Sequence, residues 1–140
     1  MKVLYTAQAT ASGGRDGRTR SSDGVVDLPL SIPKEMGGAG KPGHSNPEQL
    51  FAAGYAACFE GAVRYVARQR NVALGETSVT ARVGIGPRDG GGFGLQVDLS
   101  VALPGIERGL AQSLADEAHE KICPYSHATR GNVAVTVSVA

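Results

Sequence analysis

Two cysteines carry whatever thiol chemistry this chain can do. Cys58 lies in Leu50-Phe51-Ala52-Ala53-Gly54-Tyr55-Ala56-Ala57-Cys58-Phe59, a run that reads as a deeply buried helix, apolar on nearly all sides. Cys123 lies in Ile122-Cys123-Pro124-Tyr125-Ser126, where a second helix must stop because Pro124 disfavours helical backbone at the residue before it. They are far apart in the sequence, so nothing local pairs them. As plain core thiols they would be inert, since desolvation raises a thiol's pKa. For Cys58 to act as a nucleophile, something must stabilise its thiolate. At the ordinary pKa only about 3% of a thiol is ionised at pH 7. The helix dipole fades within a turn, so a cationic side chain must do it. Cys123, at the electronegative end of a helix, is the poorer first nucleophile. It suits a resolving role, attacking an oxidised Cys58 to close a disulfide.

Other chemistries compete for the same residues. His119 and Cys123 are spaced to share a helix face, and with Cys58 and His44 or His127 they would make a zinc donor set. No CxxC or HxxxH pair supports it. A Cys-His hydrolase with His127 or His119 as base is also conceivable, but nothing marks an oxyanion hole.

The elements that must position these groups are readable. A chain of 140 residues suits one domain spanning 1–140. Lys+Arg 14 against Asp+Glu 13 leaves +1, with no basic stripe, which argues against nucleic acid or an anionic membrane as partner. No apolar run reaches the about 18 residues of a membrane span. Met1-Lys2-Val3-Leu4-Tyr5-Thr6 turns polar too soon for a signal peptide, so a cytoplasmic home is expected, where a stable structural disulfide is unexpected. The 20 glycines concentrate at turns and in the central helix, with ordered apolar patterns around them.

Val3, Tyr5, Ala7 and Ala9 alternate as a first strand, residues 13–18 turn, and Gly24 to Leu30 form a second strand. Residues 1–30 thus read as a hairpin, followed by an exposed loop from Ser31 to Ser45. Asn46-Pro47-Glu48-Gln49 starts a helix that runs to about Arg70, with Asn46 as cap, Pro47 at the first helical position and Gln49 in a capping-box place. Ser78 to Ile85 and Phe93 to Leu103 alternate as strands. Leu110, Leu114, Ala118 and Ile122 mark an amphipathic helix over 106–122, and Val133 to Val139 a last strand. The order ββ-α-ββ-α-β implies an α+β fold with antiparallel sheet.

Several blocks are specific beyond pattern: Gly14-Arg15-Asp16-Gly17-Arg18, Ser22-Asp23-Gly24, the long Asn46-to-Phe59 run, Val83-Gly84-Ile85-Gly86, Gly92-Phe93-Gly94-Leu95, and Cys123-Pro124-Tyr125-Ser126-His127-Ala128-Thr129-Arg130-Gly131-Asn132. From about Tyr5 to the C-terminus the chain resembles the organic hydroperoxide resistance proteins (Ohr) of the Ohr/OsmC superfamily. The resemblance implies an OsmC-like fold in an intertwined homodimer. It also implies a cytoplasmic thiol peroxidase that reduces organic hydroperoxides to alcohols. By motif it places the peroxidatic cysteine on Cys58, the resolving cysteine on Cys123, the catalytic arginine on Arg15 and its partner glutamate on Glu48. The recycling reductant it implies is dihydrolipoamide or a lipoylated protein, with no bound cofactor or metal. His127 departs from the Asn that many members carry, and receives no catalytic role. Taken without the motif, Arg15 reads as a solvated turn residue and Glu48 as a dipole partner in a first helical turn.

These assignments fit the chemistry that Cys58 needs. A guanidinium is always charged, forks onto a carboxylate and can polarise a peroxide oxygen. One geometric difficulty follows. On a continuous helix Glu48 and Cys58 stand about 15 Å apart along the axis. The helix breaks near Gly54, or the arginine reaches further than short contacts allow, or Arg15 and Glu48 serve Cys58 of a partner subunit. The third option is favoured, and the small residues of the helix suit close packing between two copies. The rival readings are an OsmC-type peroxidase with other substrates, a non-enzymatic binding protein on the same fold, and a zinc protein.

Overall fold

A computed structural model describes the whole chain, Met1–Ala140, as two compact units, Met1–Leu50 and Phe51–Ala140. The fold class is α+β, with a three-stranded sheet in each unit.

In the first unit, β1 (Ala9–Ser12), β2 (Arg18–Ser21) and β3 (Asp27–Pro29) form an antiparallel meander. This corrects the expected hairpin. Residues 3–8 are not strand, and an unexpected β2 starts at Arg18, the last residue of the expected turn, and fills the stretch before the expected second strand. The cause lies in what holds these strands. Only Leu30 and Ser31 are buried in this unit, so there is no apolar core to impose alternation. Polar groups set the pairing instead. Arg18 donates from Nε to Asp27 Oδ1 at 2.6 Å across β2 and β3, and the Asp23 carboxylate accepts from the Ser21 hydroxyl at 2.6 Å and the Val25 N–H at 3.0 Å. The β1–β2 connection is a 3-10 turn, Gly14–Asp16, closed by Gly17. A Cβ on Gly17 would stand 1.7 Å from the Ser12 carbonyl oxygen, so only glycine closes this turn.

The long helix α1 (Pro47–Gln69) begins where expected. Asn46 Oδ1 accepts the Gln49 N–H at 2.8 Å, and Pro47 occupies the first helical position, where its missing donor costs nothing. The Gln49 side chain takes the Ser45 hydroxyl at 3.0 Å instead of completing a capping box. The helix runs unbroken through Gly54. It is not buried all round. Tyr55, Phe59, Ala62, Val63, Val66 and Ala67 face the core of the second unit, while Ala53, Ala57 and Gly61 lie open along another side.

In the second unit β4 (Ser78–Pro87) and β5 (Phe93–Ala102) pair antiparallel in continuous register from Ser78 with Ala102 to Pro87 with Phe93. The strand β6 (Ala134–Val139) joins β5 in parallel, a pairing that departs from the expected antiparallel sheet. The helices between β5 and β6 supply the crossover that parallel pairing requires. Val97, Leu99 and Val101 project from β5 into a core shared with Phe59, Val63, Val66, Leu114 and Ala115. The helix α2 (Arg108–Glu117) is capped by Glu107, whose carboxylate accepts the Gly109 N–H at 2.8 Å and the Leu110 N–H at 3.0 Å.

The helix expected over 106–122 changes character at its end. Residues Ala118–Ile122 form a π turn, closed by the Cys123 N–H on the Ala118 carbonyl at 2.8 Å. Cys123 then steps into extended backbone, and Pro124 opens a further helix, α3 (Pro124–Thr129), that sequence reasoning did not foresee. Pro124 both stops one helix and starts the next, since the first helical position needs no N–H. No helix of the chain is long and apolar enough to cross a membrane.

Candidate functional site

In the second unit the fold brings the two thiols together. Cys58 faces inward from α1, and Cys123 is the residue immediately before α3. Their sulfurs stand 3.7 Å apart as free thiols, within S–H···S reach. Closing this to a disulfide requires an approach of under about 2 Å, because the bonded distance is about 2.05 Å. The two environments differ. Cys123 is 1% exposed and belongs to the core, whereas Cys58 is only partly covered. Burial pushes the Cys58 thiol above its usual range, the Tyr125 backbone N–H opposes that rise, and the neighbouring Cys123 sulfur adds to it.

The Tyr125 N–H is a group that sequence reasoning missed. It exists because α3 exists, and a backbone donor leaves no mark in residue types. The same helix corrects the view of Cys123 as a residue at a helix C-terminus alone. It ends the π turn and also precedes the N-terminus of α3, so it does not sit purely at an electronegative helix end.

Around the sulfurs is an aromatic and hydroxyl cluster, also unforeseen. The Tyr125 ring lies 5.6 Å from Tyr55 and 6.1 Å from Phe51 between centroids. It sits so close over Gly54 that a Cβ there would meet its hydroxyl at 3.1 Å. Beneath it, Ser126 is fully buried. Its Oγ is 2.9 Å from the Tyr55 hydroxyl and 2.8 Å from His119 Nδ1. The Thr129 hydroxyl donates to the Tyr125 carbonyl at 2.9 Å and stands 3.3 Å from the Tyr55 hydroxyl. Burial, and secondly the Arg130 charge, hold His119 below the usual imidazole range, which keeps it neutral at pH 7. The Cys-Pro-Tyr-Ser block was the available signal, since a Ser packed beside a buried thiol must find partners.

In the first unit, Arg15 and Glu48 form a bidentate pair. Arg15 Nη1 donates to Glu48 Oε2 and Nη2 to Oε1, both at 2.8 Å. Arg15 rides on the Gly14–Asp16 turn and Glu48 on the first turn of α1. The guanidinium holds the Glu48 carboxyl below the usual carboxylate range, and the carboxylate raises Arg15 further still. Glu48 is therefore ionised and Arg15 is fixed by both of its terminal nitrogens. Because α1 continues through Gly54, the helix break considered from the sequence does not occur.

The remaining histidines take other places. His44 Nδ1 meets the Pro42 carbonyl at 3.0 Å in the first unit, and His127 is exposed. No three His, Cys, Asp or Glu side chains of the chain converge as metal ligands.

Comparison with known proteins matches this chain to the family described as OsmC-like protein over residues 38–138. An organic hydroperoxide resistance protein of Xanthomonas axonopodis pv. citri is 57% identical over 140 residues, covering 99% of this chain and 96% of that one. The solved structure of an organic hydroperoxide resistance protein from Elizabethkingia anophelis, with thiocyanate bound, superposes with a TM-score of 0.94 at 49% identity. It covers 100% of this chain and 99% of the other. The structure of OhrB of Bacillus subtilis superposes with a TM-score of 0.90 at 45% identity, covering 99% of this chain and all of that one.

Proposed function

This chain belongs to the OsmC-like family and, within it, to the organic hydroperoxide resistance proteins, and from that footing we propose that it is a two-cysteine peroxidase reducing organic hydroperoxides to alcohols. The observation that carries the reading is the pair of free sulfurs 3.7 Å apart, one accessible and one buried.

The Cys58 thiolate attacks the outer peroxide oxygen, the O–O bond breaks, and the alkoxide takes a proton and leaves as alcohol. Cys58 becomes a sulfenic acid, oxidised by two electrons. The Cys123 sulfur attacks it, the S–O bond breaks, and water leaves as the Cys58–Cys123 disulfide forms. An external dithiol, dihydrolipoamide or a lipoylated protein, reduces the disulfide by exchange and is itself oxidised to a cyclic disulfide. No bound cofactor takes part. Arg15 supplies the positive charge that a desolvated Cys58 needs and polarises the peroxide, with Glu48 holding the guanidinium in aim. Arg15 and Glu48 act on Cys58 of a second copy in a homodimer, an arrangement that suits the continuous α1 and its open side of Ala53, Ala57 and Gly61. Apolar rings near Cys58, those of Phe51, Tyr55 and Tyr125, favour greasy hydroperoxides over hydrogen peroxide. The setting is the cytoplasm, where dithiol reductants are maintained.

Turnover of cumene hydroperoxide and of hydrogen peroxide with dihydrolipoamide tests the proposal. Fast consumption of the organic peroxide, slow consumption of the other, and none by Cys58→Ser is the expected result. Normal multiple turnover by Cys123→Ser would sink the resolving role. Mixed dimers of Arg15→Ala and Cys58→Ser should regain activity through one intact composite site. Failure to regain it would place both groups within one subunit.

A further inference from the structure

The two cysteine-bearing segments are joined twice. One junction is the sulfur pair. The other lies one helical turn away and is made of hydroxyls. Tyr55 precedes Cys58 by one turn of α1 and shares its face, and Ser126 follows Cys123 by one turn in α3. The Tyr55 hydroxyl meets the Ser126 hydroxyl at 2.9 Å, so this bond runs alongside the approach of the two sulfurs.

Ser126 is tied from its other side as well. His119, on the π turn that leads into Cys123, meets the same Oγ at 2.8 Å. Arg130 donates to the His119 carbonyl at 2.7 Å. With a neutral imidazole accepting at Nδ1, each hydroxyl donates once: Thr129 to the Tyr125 carbonyl, Tyr55 to Ser126, and Ser126 to His119. No buried side-chain polar atom of the chain lacks a partner. The π turn and the extended step at Cys123 are irregular backbone, of the kind that persists only where surrounding groups fix it. Ser126 is the residue on which those groups converge.

We propose that Ser126, clamped between Tyr55 and His119, is a positioning residue that holds Cys123 in line for attack on oxidised Cys58 and so sets the rate of disulfide closure. This rests on the two-cysteine reading above. The bonds made and broken are those of the resolving step: S–S forms, S–O breaks, and the Cys123 proton leaves with the hydroxide as water. Ser126 does not touch the reacting atoms. It fixes a second point of the segment, so that the residual approach of the sulfurs occurs along one path. Without it the segment swings, and a Cys58 sulfenic acid waits long enough to meet a second peroxide and pass to sulfinic acid.

The test follows Ser126→Ala and Tyr55→Phe through a single turnover with cumene hydroperoxide. Sulfenic-acid formation and disulfide closure are timed separately, and sulfinic acid is measured by mass at excess peroxide. The expected result is unequal: closure slows about tenfold, the loss of one net hydrogen bond, while the first step falls about threefold at most. The sulfinic fraction rises in step. Because the two changes share one bond, the double variant should close no more slowly than the worse single one. His119→Asn, which keeps a polar atom near the Nδ1 position, should close faster than His119→Leu. A role in stability alone would lower the melting temperature of all these variants without moving the partition between disulfide and sulfinic acid. Unchanged closure in folded Ser126→Ala and Tyr55→Phe overturns the proposal. Tyr55→Phe keeps the ring and serves if Ser126→Ala does not fold. A wild-type protein whose Cys58 never reaches sulfenic acid would overturn the two-cysteine reading itself, a failure visible in the first step and not in closure.

Discussion

The ion pair of the first unit and the sulfur pair of the second are held by opposite means. Arg15 rides on a one-turn 3-10 segment with no buried residue, and its only side-chain anchor is the Glu48 carboxylate. Cys123 is 1% exposed, packed into the core and followed by a fully buried Ser126. A guanidinium thus takes its aim from one partner charge, whereas a thiol takes its place from packing all around it. Each half is therefore vulnerable in a different place. One substitution releases the arginine, but the sulfurs stay near each other unless the core or its hydroxyl strut is disturbed.

The largest effect is Cys58→Ser, which should abolish peroxide turnover while leaving the fold intact, checked by activity and circular dichroism together. Next, Arg15→Ala should cut the rate of Cys58 oxidation by about 10²–10³-fold, the usual scale for losing a charge aimed at a developing anion. It should also move the pH midpoint of Cys58 alkylation upward, because burial alone already pushes that thiol up. An unmoved midpoint would mean that the ion pair does not serve the sulfur.

Glu48→Gln should slow oxidation by about tenfold at neutral pH, since it leaves the charge but removes its fork. Its stability effect has a definite sign with pH. The folded carboxyl titrates below the unfolded one, so the pair stabilises above the ordinary carboxylate range and is lost as pH falls through the depressed value. Arg15 is 36% exposed, which limits the contribution to below about 1 kcal/mol. Melting curves of wild type and variant should differ slightly at pH 7 and coincide in acid. The smallest effect is kinetic. A small alkylating reagent should label the partly exposed Cys58 before the buried Cys123, and peptide mapping would show the order.

How much of this was legible depends on what holds each part. The helix α1 and the strands β4 and β5 could be read directly, since their apolar periods face a real core of Phe59, Val63, Val97 and Leu99. The meander of the first unit could not, because polar pairs such as Arg18 with Asp27 replace the apolar alternation. The parallel pairing of β6 is invisible in a strand that alternates like any other. The π turn and α3 are each too short for a period to show, and their discovery brings the Tyr125 N–H and the Ser126 hydroxyl with them. Tyr55 and Ser126 are 71 positions apart, beyond any local rule. Arg15 and Glu48 were found through the resemblance of their motifs. By residue type alone, an arginine in a glycine-rich turn reads as solvated and a glutamate in a first helical turn as a partner of the helix dipole.

The most direct test of the central claim is a thiol count on fully reduced protein before and after one equivalent of cumene hydroperoxide, with hydrogen peroxide in parallel. The account predicts rapid loss of both thiols with the organic peroxide, slow loss with hydrogen peroxide, and one Cys58–Cys123 disulfide in the mass spectrum. Survival of both thiols in the presence of the organic peroxide would contradict it.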